Sequence, residues 1–286
     1  MSPMVESGKS PSDRPVRVRR RANAAGSAEG ARIDQEEAIL LRMTPVTESS
    51  CMAFWLTRQG ALTTLVKGGY RRRSPFLGHL DLFRTCELLY YPSRRADRPA
   101  IAREITVLSA RNEFRSRWRA AAAASYLCDL SGRVFLEPAT SPAGYDRLTR
   151  ALDALQAGRG PGSVILWFEL QIAAMLGWMP RLDSCSICGK KAQDGVGGFF
   201  VPSLGSLVCS ACRPGRTLDG DFFKASTRRR LNLWQETEDP EQLPDIRIPR
   251  SEARLLQRGI GRFLQFHLNL NPAARDLAFD CLFAQR

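Results

Sequence analysis

Cys185-Ser186-Ile187-Cys188-Gly189 and, after a gap of twenty residues, Cys209-Ser210-Ala211-Cys212 are the stretches that decide how this chain must fold. Each C-x2-C turn offers two thiolates to one cation, so the intervening segment has to double back until four sulfurs converge. Phe199-Phe200-Val201 and Leu207-Val208 read as the two strands of that hairpin, and Gly189 suits the tight turn after the first pair. The pattern reads as a zinc ribbon with Cys185, Cys188, Cys209 and Cys212 as ligands to a structural Zn2+. A rubredoxin-like iron site is the rival, because thiolates alone do not separate the two metals. Paired disulfides or ordinary core cysteines are the blander readings. Four thiolates close the coordination shell and leave no position for water, so the metal is expected to brace the fold and not to react.

Outward from the ribbon, 286 residues predict about two domains, and 44% apolar content with fourteen Phe and five Trp supplies cores for both. The net charge of +13 falls to +11 once four thiolates hold one zinc ion, which still leaves a field that attracts a polyanion. Nucleic acid is the favoured partner. The positive surplus is spread along the whole chain and not gathered in one block. Cys51, Cys86, Cys128 and Cys281 stand singly among apolar residues, as reduced core thiols of a cytosolic protein do. The longest apolar run, Val164 to Trp178, is interrupted by Glu169 and Gln171, so no membrane insertion is expected.

Residues 1–33 are rich in Pro, Ser, Gly, Ala and Arg and predict a disordered basic tail without the apolar core of a secretory signal. Five strand-like segments follow, at 38–43, 51–57, 61–67, 82–91 and 100–108, separated by turn material such as Arg58-Gln59-Gly60. Five is the strand count of an OB-fold barrel. Helical segments are expected at 114–130, 145–157, 164–176, 222–234, 251–267 and 273–283. In 251–267 the residues Leu256, Ile260, Phe263 and Leu264 fall on one helix face, whereas 164–176 is apolar nearly all round and should lie at the centre of a helical domain. The fold class is α+β: an OB-fold domain over 34–112, then a helical domain over 113–286 with the zinc ribbon inserted at 185–212.

Lys67, Arg71, Arg72 and Arg73 surround Tyr70 in a glycine-marked turn, a combination that can grip phosphates while a base stacks on the ring. Arg228 and Arg229, with Arg230 beside them, form a second basic candidate, although on a helix at most two of the three can face one ligand. A solvated surface is the alternative for both runs. Neither of the two histidines, His79 and His267, lies in a catalytic motif, and Glu236, Glu238, Asp239 and Glu241 surround a proline as a solvated acidic loop. No enzyme activity and no small-molecule substrate are expected.

The ordered motifs resemble those of the bacterial RecO family. Leu56-Thr57, Gly60 and Leu62 are followed by Lys67-Gly68 and the Arg71-Arg72-Arg73-Ser74 run; Pro180 and Leu182 then lead into the two cysteine pairs, and Phe263-Leu264-Gln265-Phe266-His267-Leu268 comes near the end. The chain departs from the family pattern at Val66, where alanine is usual, and at Asn271 to Arg275, where a Lys-Ser-Arg stretch is usual. The resemblance implies a recombination mediator of the RecF pathway that binds single- and double-stranded DNA and anneals complementary strands. It also implies recognition of the acidic tail of the single-strand binding protein SSB, loading of RecA together with RecR, and a bacterial cytoplasmic, nucleoid-associated location. An acidic tail with an apolar end needs a greasy pocket rimmed by arginine, and Arg147, Arg150, Leu152 and Leu155 have that composition; ordinary core leucines with solvent-facing arginines are the favoured alternative. The competing reading from a different class is a zinc-ribbon transcription or RNA-binding factor.

Overall fold

Alternation of inward and outward side chains builds the first half of the molecule. In the computed structural model, which describes residues 32–93, 95, 97–136, 141–193, 195–243 and 248–284, five strands close a barrel. They are β1 (Asp34–Pro45), β2 (Cys51–Thr57), β3 (Gly60–Val66), β4 (Thr85–Tyr91) and β5 (Ala100–Ser109), arranged β1-β2-β3-β5-β4 with β4 back against β1. All pairings are antiparallel except β3 with β5. This is the expected OB-fold. The tail read at 1–33 lies outside the described residues except for Arg32 and Ile33.

Ala38 and Leu40 point into the barrel with Cys51, Ala53, Trp55, Val66 and Leu88, while Ile39 and Leu41 point out into a second, larger core. β1 is buried on both faces at these four positions, so it is the seam between barrel and helices. Inside the barrel, the Trp55 indole N–H donates to Thr64 Oγ1 at 2.9 Å with both residues sealed from solvent. Thr64→Val would keep the shape and strand the indole donor, and a loss of about 1–3 kcal/mol is expected in a denaturant titration.

The helices are α1 (Trp118–Val134), α2 (Ser141–Gln156), α3 (Pro161–Met175), α4 (Ala225–Glu236), α5 (Arg250–Leu268) and α6 (Ala273–Phe283). α3 is buried at every position from Val164 to Ala173, as its unbroken apolar character predicts. In α5 all four of the in-phase apolar residues, Leu256, Ile260, Phe263 and Leu264, are buried. Among the described residues no helix is long and apolar enough to cross a membrane.

Several element boundaries differ from the sequence reading. The fourth strand starts at Thr85 and not at Leu82, because Phe83 adopts a left-handed backbone (φ 70°): its N–H donates to the Leu40 carbonyl, while Leu40 N–H donates to the Arg84 carbonyl. The first helix starts at Trp118 and not at Phe114, because Arg111 is also left-handed and a short 3-10 turn, Asn112–Arg115, intervenes. The buried Arg111 guanidinium donates to the Phe83 carbonyl and to Thr85 Oγ1 and pairs with Asp153 of α2, fastening the barrel to the helices. The ribbon is larger than 185–212: its sheet comprises β6 (Arg181–Cys185), β7 (Gly198–Val201), β8 (Ser206–Val208) and β9 (Asp221–Phe223) in the order β6-β8-β7-β9. Phe222 and Phe223, read as the start of a helix, are β9, because Phe223 stacks on Phe200 of β7 at 5.0 Å.

Candidate metal centre and nucleic-acid interface

The ribbon's two knuckles converge as their spacing demands. Cys185 ends β6, Cys209 follows β8, and these two strands are neighbours. The Sγ atoms of Cys185, Cys188, Cys209 and Cys212 lie within 4.8 Å of one another, with Cys188 and Cys209 at 3.9 Å. Sulfur ligands at about 2.3 Å from a tetrahedral metal sit roughly 3.8 Å apart, so the cluster has the dimensions of one tetrathiolate site. Gly189 takes a left-handed φ of 69° that a side chain would resist, and its N–H returns to the Cys185 carbonyl to close the turn.

The electrostatics of the cluster also call for a cation. Burial works to raise the Cys185 thiol, but the N–H groups of Cys209, Cys188 and Ile187 aimed at its sulfur outweigh that and bring it down to about 6. Hydrogen bonding with the Cys209 and Cys188 sulfurs pushes Cys212 the other way, up to about 12. Cys185 is drawn toward the thiolate while Cys212 resists ionisation, and a divalent ion at the centre relieves the conflict. The knuckles rest on a small core of Cys185, Val201 and Val208 with Leu218 against it.

The basic turn after β3 lies at the barrel's mouth. Lys67, Arg71, Arg72 and Arg73 are exposed, and none makes an ion pair among the described residues. Tyr70 N–H donates to the Ser49 carbonyl and Gly68 N–H to Ser50 Oγ, tying this turn to the β1–β2 loop. A groove of about 490 Å³ runs between the two loops, lined by Val46, Thr47, Ser50, Leu65, Lys67 and Arg71. Burial, and then the Cys51 thiol to which it hydrogen-bonds, raise the Tyr70 phenol above its usual range, yet 44% of the residue stays exposed. Its hydroxyl is anchored while part of the residue remains open to solvent. In OB-folds the β2–β3 face and the β1–β2 and β4–β5 loops receive oligonucleotides.

The second basic run is divided by its helix. Arg228 is 4% exposed and its guanidinium donates to the Gln193 carbonyl at 2.9 Å, so it is corrected from a DNA-binding candidate to an internal strut. Arg230 pairs with Glu252 of α5 at 2.6 Å, and only Arg229 faces solvent freely. The pocket read into α2 is also corrected: Leu152 and Leu155 are fully buried in the helical core and cannot line an open cleft. Arg147 and Arg150 both donate to the Glu238 carbonyl, and Arg159 donates to those of Glu241 and Leu243. The acidic loop is thus gripped through its backbone, which its composition does not disclose.

Two features of the barrel escape a reading by charge runs alone. The β4–β5 loop carries exposed Arg95 and Arg98, with Arg95 paired to Asp97. Arg42 lies 4.2 Å over the half-buried Phe54 ring, and Arg103 lies 6.0 Å over Tyr91. Cross-strand pairing brings Arg42 to Phe54, so the register of β1 against β2 was the missing information.

Comparison with known proteins agrees with this architecture. Residues 32–106 match the family described as recombination protein O N terminal, and residues 115–276 match recombination protein O C terminal. The DNA repair protein RecO of Rubrobacter xylanophilus is 32% identical over 251 residues, which cover 85% of this chain and 94% of that protein. Its counterpart in Dehalococcoides mccartyi strain CBDB1 is 27% identical over 83% of this chain and 92% of its own length. With the barrel and the helical part matched in order and relatives aligned over nearly their full length, the chain belongs to the RecO family of DNA repair proteins.

Proposed function

We propose that this protein is a recombination mediator without catalytic chemistry: it binds single- and double-stranded DNA, anneals complementary strands and, with RecR, helps load RecA onto SSB-coated DNA. Zinc is the metal assigned to the four cysteines. The observation that carries the reading is the exposed, unpaired set Lys67, Arg71, Arg72 and Arg73 around Tyr70, beside the β1–β2 loop of an OB barrel. Guanidinium and ammonium groups that neutralise phosphates without touching base edges hold a strand loosely and without sequence preference, which pairing of two strands requires. The SSB tail would have to dock elsewhere than the α2 leucines, which lie inside the core.

The test is a strand-annealing assay with and without SSB. The protein should speed pairing of complementary strands, whereas a transcription factor would instead prefer one duplex sequence. For single strands the logarithm of affinity should fall with the logarithm of salt by about 0.7 per neutralised phosphate. Replacing Arg71, Arg72 and Arg73 together by Gln should lower that slope by up to roughly 2 and slow annealing. A variant with the parent slope removes this turn from the interface.

A further inference from the structure

Large apolar side chains exposed in contiguous rows usually have a ligand, and one such row crosses the face where α5 meets the ribbon. Trp178, just beyond α3, is 47% exposed and lies 4.7 Å from the His267 ring at a 33° tilt. Phe266, 64% exposed, meets the same imidazole edge-on at 5.0 Å. The imidazole does not swing freely: its Nε2–H donates to the Pro202 carbonyl at 3.0 Å, and buried Phe263 packs against it at 4.7 Å. Trp178 and Phe266 therefore form a ledge whose order is set before any ligand arrives.

The ledge leads into charge. Beside Pro202 the turn exposes Leu204, and Gly205 accepts a hydrogen bond from Arg181 N–H. Leu204 lines a groove of about 590 Å³ with Arg181, Arg216, Ser186 and Ile187, against the first metal knuckle. No carboxylate lines this groove, and neither Arg181 nor Arg216 has an ion-pair partner among the described residues. Exposed rings next to unpaired guanidiniums fit a polyanion that carries its own rings.

We propose that Trp178 and Phe266 form a stacking platform for unpaired bases, with Arg181 and Arg216 holding the adjoining phosphates: a single-strand site on the ribbon face in addition to the barrel turn. The inference rests on the DNA-binding reading above and deepens it. A protein that pairs two strands must hold both, and two separate sites do so. Unpaired bases expose the faces that stacking needs, and duplex hides them, so this site is selective for single strands.

The experiment uses the full-length, metal-loaded chain and a fluorescein-labelled oligothymidylate, with a duplex of the same length in parallel. Trp178→Ala and Phe266→Ala, both at exposed positions, are compared with Arg181→Gln plus Arg216→Gln, each checked for parent melting temperature and metal content. Each aromatic variant should weaken single-strand binding about 5-fold or more with no change in salt slope or duplex affinity. The arginine variant should reduce the slope by roughly 1.4 for two phosphates. Unchanged single-strand affinity in both aromatic variants overturns the ledge, as does an equal loss on duplex. Loss of binding to an acidic peptide with an apolar C-terminal residue, with oligothymidylate unaffected, overturns it in favour of a peptide site. A parent protein that ignores every oligonucleotide at modest salt overturns the DNA reading itself and the ledge with it.

Discussion

Stripping the metal with a chelator, or replacing Cys209 by Ser, should unfold the ribbon and loosen the helical core. A structural zinc site contributes on the order of 10 kcal/mol or more to folding, comparable with the whole net stability of a typical protein. Little else holds the knuckles: their own core is Cys185, Val201 and Val208, and the strands are three to five residues long. The damage should spread, because Leu182, Phe200, Leu207 and Phe223 of the same sheet belong to the main hydrophobic core. Thiol titration offers a direct readout. Burial pushes Cys128 up to about 12 and Cys86 up to about 11, so both stay unreactive while the core holds. Chelation should release four reactive thiols first, and Cys128 only as the helices open. Native mass spectrometry should find one zinc per chain, and visible absorbance would betray iron in its place. Metal-free purified protein with the same melting curve would refute the bracing role.

Arg275→Met should be the most damaging single change outside the ribbon, at about 3–5 kcal/mol. The Arg275 guanidinium is 4% exposed and makes a two-pronged pair with the fully buried Glu169, at 2.6 and 2.9 Å. It also donates to the Gln257 carbonyl, and the Tyr126 hydroxyl donates to the same Glu169 oxygen. The network ties α1, α3, α5 and α6 together at their common centre. Removing only the arginine leaves a carboxylate in an apolar interior with one neutral donor. The expected loss corresponds to roughly 6–20 °C in melting temperature at about 2–4 °C per kcal/mol. Combining it with Glu169→Gln, which still accepts from Tyr126, should recover most of that loss because no uncompensated charge then remains. A double variant as unstable as the single one would show that packing around Arg275, and not the charge, carries the cost. Arg275 is thus a positive charge that serves the core and not a ligand.

What could be read ahead of the structure was what is encoded within about twenty residues. The C-x2-C pairs, the alternation of β2 and β3, the apolar face of α5 and the all-apolar α3 each carry a repeat that neighbouring residues alone define, so the barrel, the ribbon and the helices were legible. Boundaries failed where one residue took an unusual backbone, as at Phe83 and Arg111.

Within the candidate sites the division is the same. The four cysteines that could hold a metal were plain because a tetrahedron fixes their spacing, whereas the fate of each arginine was not. Arg71, Arg72 and Arg73 stay in solvent, Arg228 is inside, Arg111 finds Asp153 forty-two residues away, and Arg275 finds Glu169 at a separation of 106. The sequence by itself determined the elements, the metal site and the excess of positive charge. Only the tertiary structure decided which charges are buried struts and which are free to meet a ligand, because a guanidinium leaves water only where distant parts of the chain supply a carboxylate or carbonyl to receive it.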